Sequence, residues 1–125
     1  MIDISDLIGV PFVEFGRDVQ NGLDCYGLAI EVEKRMGKQL KDVVLEKFDR
    51  EKVVKTLPVL NVHKIKEIKE GAILEFYGKL DKRLHVAVAL DKRTFIHATE
   101  NQGVRISSLS SCESFLKLAN IYEVD

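Results

Sequence analysis

The apolar residues of this chain change their period at Gly71. Before it, Leu28, Ala29, Val32 and Met36 recur at helical spacing, with Glu31, Glu33, Lys34 and Arg35 turned the other way. After it, "AILEFY" (72–77), "HVAVAL" (85–90), "TFIHAT" (94–99) and "GVRIS" (103–107) read as strands divided by short polar turns. Helices followed by a strand meander predict an α+β fold, with N-terminal helices packed on an antiparallel β-sheet. Upstream, Asp3 or Ser5 caps a short helix near residues 4–9, which Pro11 stops. "GRDVQNG" reads as a loop, and a second helical region spans roughly 39–57, broken near Asp49 and ended by Pro58. Near the end, "SCESFLKLAN" reads as a short helix and "IYEV" as a closing strand. With 125 residues, 46% of them hydrophobic, and no linker or repeat, residues 1–125 are expected to form a single domain around one core.

Charge excludes some functions. A net charge of −1 offers no basic field for nucleic acid, and the mixed runs "KIKEIKEG" and "EVEKRMGKQLKD" read as solvated surface. No apolar run approaches the ~18 residues of a membrane span. The start "MIDISDLIGV" lacks the charged-then-apolar pattern of a signal peptide, so the chain is expected to be made and folded in the cytoplasm, or to have lost an export segment. The two cysteines, Cys25 and Cys112, form no disulfide framework and are expected to be thiols. Their spacing against the histidines forms no zinc-ligand pair, and no cofactor is expected.

The stretch "NGLDCYGLAIEV" (21–32) places Cys25 where a loop turns into a helix. Asp24 is a natural N-cap, and Gly37 sits where a left-handed C-terminal cap belongs. A helix start supplies partial positive charge and unpaired N–H groups, which favour a thiolate. A nucleophile also needs a base. Of His63, His85 and His97, the last two lie on successive strands joined by a loop centred on "DKR" (91–93). With Leu90 opposite Thr94, Ala87 faces His97 and His85 faces Thr99, so both imidazoles share one face as diagonal neighbours. An even-length loop would separate them, and a slipped register would bring Glu100 or Asn101 to the place of His97.

The shared face reads His85, Ala87, Ala89, Phe95, His97 and Thr99. Its two alanines are expected to admit the cysteine helix, setting Cys25 against His85 with His97 behind it. Cys25 would then be nucleophile, His85 general base and acid, and His97 the group that fixes the imidazole tautomer, with helix-start N–H groups holding the oxyanion. Against this stands the plainer reading of a buried apolar cysteine and structural histidines. His63 lies in a charged segment and is set aside. Cys112 is a rival thiol with no histidine after it.

"GLDCYGLA" resembles the nucleophile motif of the papain-like NlpC and p-sixty cell-wall peptidases: an Asp-Cys pair, a small or aromatic residue, then Gly-Leu at a helix start. "GVPFVEFGRD" resembles the family's upstream "G-x-P-Y…G-G" segment, and "KEGAILEF" its "P-G-D-L" strand. "HVAVALDKRTFIHATENQGVRIS" is similar to its histidine hairpin, with the same spacing of twelve between His85 and His97. The likeness runs over roughly residues 7–107. It implies the papain-like fold, a Cys–His–His triad at Cys25, His85 and His97, and hydrolysis of amide bonds in peptidoglycan stem peptides, often between D-glutamate and a diamino acid. It also implies that Asp24, Phe12 and Tyr26 stand at the substrate, Asp24 as helix cap and amine contact.

There are departures: Phe12 for the family's tyrosine, Arg17 for the second glycine of "G-G", Ala72 for the aspartate after Gly71, and Tyr26 for the usual serine. An aromatic after the cysteine and a charge-rich helix resemble the phage-tail branch, implying tail proteins as partners and a virion tail as location. Phe12 and Arg17 also motivate the alternative of a tail-assembly protein that keeps the fold without the activity. An amidase on another small acyl donor is a further alternative, because a triad fixes acyl chemistry and not the acyl group.

Overall fold

The computed structural model describes residues 2–43 and 60–125. Its one long helix among these residues, α1, runs Cys25–Arg35. Both ends follow from local chemistry. The Asp24 carboxylate accepts the Gly27 N–H at 2.7 Å, satisfying one of the unpaired donors of the first turn. At the other end Gly37 adopts φ +84°, its N–H donates to the Lys34 carbonyl, and Lys38 N–H donates to that of Glu33. This is the paired-bond cap that glycine makes cheap. Leu28, Ala29 and Val32 are buried along one side.

The short N-terminal helix is a 3₁₀ turn, Ser5–Leu7, and Asp3 accepts both the backbone N–H and the hydroxyl of Ser5. The segment read as a loop contains a small ribbon, β1 (Arg17–Asp18) paired antiparallel with β2 (Gly22–Leu23). Of the second helical region expected at 39–57, residues 39–43 are irregular rather than helical. The rest, with Asp49 and Pro58, lies outside the described residues.

The remaining strands are β3 (Val62–Ile65), β4 (Ile73–Gly78), β5 (Leu84–Ala89), β6 (Thr94–Thr99), β7 (Gly103–Ser108) and β8 (Leu116–Val124). They form a six-stranded sheet in the order β3-β8-β4-β5-β6-β7, with every neighbouring pair antiparallel. The fold is therefore α+β with an antiparallel sheet. No helix among the described residues is long and apolar enough to cross a membrane.

Two further elements differ from expectation. β3 lies at the sheet edge with His63 and Lys64 exposed, so it carries no buried alternation to read. The expected helix over "SCESFLKLAN" is only Leu109–Cys112, here α2, capped by the Ser108 hydroxyl. The strand begins at Leu116. The register shift between Glu75 and Phe76 explains the misreading: Glu75 pairs with Asn120 and Phe76 with Leu118, leaving Ala119 as the extra residue of a bulge. The bulge puts Leu118 and Ile121 against the same core although they are three positions apart, which breaks the period of two.

The sheet has an apolar core on each face. Helix α1 lies on the face of Val86, Val88, Ile96, Ala98 and Val104. The other face buries Leu74, Phe76, Ala87, Ala89 and Phe95 with Cys112, Leu109 and Leu118. The expectation that α1 would lie on the alanines beside the histidines is thus corrected. The valines and Ile96 bury more apolar area against a helix than alanines do, and Phe76 and Phe95 fill the space over the alanines.

Candidate active site

The start of α1 is fixed by close backbone approach. A Cβ at Gly27 would overlap the Gly16 carbonyl oxygen, so only glycine lets the first turn sit on that loop. This packing leaves Cys25 buried, with 6% of its surface exposed.

Strands β5 and β6 hold the imidazoles. The Leu90 N–H donates to the Thr94 carbonyl at 2.9 Å, and the ladder joins Val88 with Ile96 and Ala89 with Phe95, the register expected of a three-residue loop. Among the described residues no further ladder pair joins these strands. Yet β4 stays paired with β5 to Leu84, and β7 with β6 to Thr99. The sheet opens between β5 and β6 where His85 and His97 stand. The helix lies on one face and the imidazoles on the other, yet Cys25 and both histidines meet at the end of these strands. Cys25, His85 and His97 line one cavity of about 430 Å³.

His85 Nε2 lies 2.6 Å from His97 Nδ1, and His97 Nε2 lies 2.8 Å from the Ser107 hydroxyl. The rings of Phe76 and Phe95 pack beside them, Phe95 edge-on to His97 with centroids 4.9 Å apart. Burial, with the charges of His85 and Arg105 adding, pushes the His97 pKa down to about 3. A neutral imidazole has one donor and one acceptor nitrogen, and the bonds to His85 and Ser107 use one each.

The rest of the cavity wall is mixed. Phe12, Leu80, Phe115 and Leu116 give it apolar surface; Asp81, Arg83, Glu100 and Asn101 give it charge and amide groups. Arg83 pairs with Glu100 at 3.3 Å, and Leu80 is 96% exposed. Glu100 and Asn101 therefore stand on the wall while His97 keeps the bond to His85.

Of the residues expected at the substrate, Phe12 lines this cavity. Asp24 and Tyr26 do not; both are buried in the scaffold. Asp24 Oδ1 accepts from Gly27 N and Arg17 Nη1, and its Oδ2 accepts from Phe15 N. The Tyr26 hydroxyl donates to the Lys41 carbonyl, and its ring lies under the Arg17 guanidinium. Arg17, expected beside the cleft, points into this network instead. Cys112 is buried in the second core, and His63 is exposed on β3 with Asp125 2.6 Å away. No cluster of three or more His, Cys, Asp or Glu side chains suited to a metal occurs among the described residues.

Ser107 was not singled out from the sequence. β7 pairs Arg105 with His97 and Ser107 with Phe95, so Ser107 shares the face of both. The signal was there in the strand period: with "GVRIS" paired to the histidine strand, alternate residues fall behind the imidazole.

Compared with curated protein sequences, the chain has no match. Among solved structures it is similar to the NlpC/p60 domain of the peptidoglycan hydrolase SagA, with TM-score 0.61, 23% identity, and coverage of 95% of this chain and 89% of that one. It is also similar to a lipoprotein-like protein of the NLP/P60 family from Staphylococcus aureus subsp. aureus Mu50, with TM-score 0.60, 22% identity, and coverage of 94% of this chain. The chain spans 37% of the length of that second protein. At these identities the likeness is one of fold. The profile of the NlpC/P60 family matches residues 9–117, which is most of the sequence. The chain therefore belongs to the NlpC/P60 family.

Proposed function

We propose that this protein is a cysteine peptidase that hydrolyses amide bonds of peptidoglycan stem peptides, of the D-glutamyl-diamino acid type, through Cys25, His85 and His97. One observation carries the reading: these three side chains line a single cavity, with His85 Nε2 bonded to His97 Nδ1 at 2.6 Å. A neutral His97 accepts the His85 Nε2–H, which directs the basic nitrogen Nδ1 of His85 to the Cys25 thiol proton.

In the first half-reaction His85 takes that proton and the sulfur bonds to the substrate carbonyl carbon. N–H groups at the start of α1 hold the oxyanion. His85 then passes the proton to the departing amine as the C–N bond breaks, leaving a thioester on Cys25. Water, deprotonated by His85, attacks the thioester and releases a carboxylic acid and the thiol.

The SagA domain and the family match support peptidoglycan as substrate. The tail-associated setting rests on the sequence resemblance alone, through Tyr26 and the charge-rich helix after it. The inactive-scaffold alternative loses one of its two motives, since Arg17 pairs with Asp24 rather than standing in the cavity. Digestion of purified sacculi, with product masses read, tests the proposal. Wild-type protein is expected to release cleaved stem peptides and Cys25→Ser to release none. Identical digests from both would reject it.

A further inference from the structure

The helix start carries an ion pair whose geometry is more elaborate than a cap requires. Asp24 sits directly before Cys25, and its carboxylate is buried. Arg17 Nη1 reaches Asp24 Oδ1 at 2.8 Å and the Gly16 carbonyl at 2.9 Å; its Nε binds Asp42 at 2.9 Å and its Nη2 the Val43 carbonyl at 3.1 Å. Phe15 holds φ 60°, left-handed backbone that a bulky residue adopts only under strain. In that conformation its N–H donates to Asp24 Oδ2. The chain thus gathers a loop, a ribbon strand and the 42–43 segment around one carboxylate.

Asp24 directly precedes Cys25 in the chain, and its carboxylate is buried. A buried negative charge works against a thiolate at the neighbouring residue. The other titratable and charged groups that line the cavity with Cys25 are His85 from β5, His97 from β6, and Asp81, Arg83 and Glu100. Asp24 is the acid closest to it in the chain, and Arg17 is the cation on Asp24.

We propose that Arg17 is a positioning residue for the nucleophile: its guanidinium cancels the Asp24 charge next to Cys25 and ties the start of α1 to the 42–43 segment. This rests on the reading of Cys25 as nucleophile. It also assigns the Asp24 carboxylate to the scaffold, so a free substrate amine is not bound there.

The test is the pH dependence of Cys25 alkylation by iodoacetamide, with Cys25 and Cys112 resolved by peptide mass mapping. Arg17→Met is expected to raise the Cys25 midpoint by about 1 pH unit. Asp24→Asn, which keeps a capping side chain, is expected to lower it. The double variant is expected to return it close to wild type, and Arg17→Lys to leave it within a few tenths of a unit. A purely structural Arg17 gives no such sign reversal and no return in the double variant. Unchanged midpoints in Arg17→Met and Asp24→Asn overturn the proposal. Should Arg17→Met fail to fold, the double variant is compared with Asp24→Asn: a higher midpoint in the double variant supports the charge role of Arg17, and equal midpoints overturn it. A wild-type midpoint at the free-cysteine value of about 8.5 instead sinks the nucleophile reading, and the differences among the variants still decide Arg17.

Discussion

His97 bridges His85 and Ser107, its Nδ1 2.6 Å from one and its Nε2 2.8 Å from the other. The three residues come from three consecutive strands, β5, β6 and β7, and the pairing of β6 with β7 sets the second bond as surely as the hairpin loop sets the first.

Ser107→Ala removes the partner of a buried ring nitrogen, and an unsatisfied group of this kind costs about 1–3 kcal/mol. On the proposed mechanism it also frees the His97 tautomer. The expected result is a fall in kcat of about tenfold with KM little changed, recovered in Ser107→Thr. A loss in KM alone, or no recovery by threonine, would show that the hydroxyl acts otherwise.

Gly27→Ala introduces a methyl that overlaps the Gly16 carbonyl. Overpacking against backbone costs about 3 kcal/mol, and relief requires moving the first turn of α1. Chemical denaturation is expected to show that loss, together with slower alkylation of Cys25. An unperturbed midpoint of unfolding would contradict the close approach described for this turn.

Two buried groups give stability opposite dependences on pH. Glu33 is 1% exposed, its Oε1 has no hydrogen-bond partner among the described residues, and burial, eased by Lys38 and aggravated by Glu123, raises its pKa to about 7. The folded state therefore holds a proton that the unfolded chain has lost, and stability falls as pH rises from about 4.5 to about 7. His97, with its pKa lowered to about 3, acts in reverse: its contribution is full above about 6.5 and is lost as pH falls toward 3. Glu33→Gln is expected to remove the decline between about pH 4.5 and 7 and to gain roughly 2–3 kcal/mol at pH 8. Denaturant unfolding at pH 5 and pH 8 reads both; a variant no more stable than wild type at pH 8 would refute the account of Glu33.

Much of the fold was legible because its signals are local. Asp24 and Gly37 mark the ends of α1 by cap chemistry, and the four strands from Ile73 to Ser108 follow apolar runs and short turns. Three features were hidden for physical reasons. The edge strand β3 has no buried alternation around His63 and Lys64. The bulge at Ala119 breaks the period of β8. The short ladder between β5 and β6, which ends at Val88 and Ile96 before the histidines, depends on sheet geometry that residue types do not encode. The sharing of a cavity by Cys25, His85 and His97 was expected from parity and spacing, although the face assigned to the helix was not the one found. Arg17 looked like a departure at the cleft; only the folded loop reveals that it pairs with Asp24.

The most direct measurement is to catch the covalent intermediate. Wild-type protein is mixed with muropeptides, quenched in acid within the turnover time, digested and mapped by mass. An acyl group is expected on Cys25, absent in His85→Ala, with Cys112 unmodified. Acylation of Cys112, or full cleavage of muropeptides by Cys25→Ala, would contradict it.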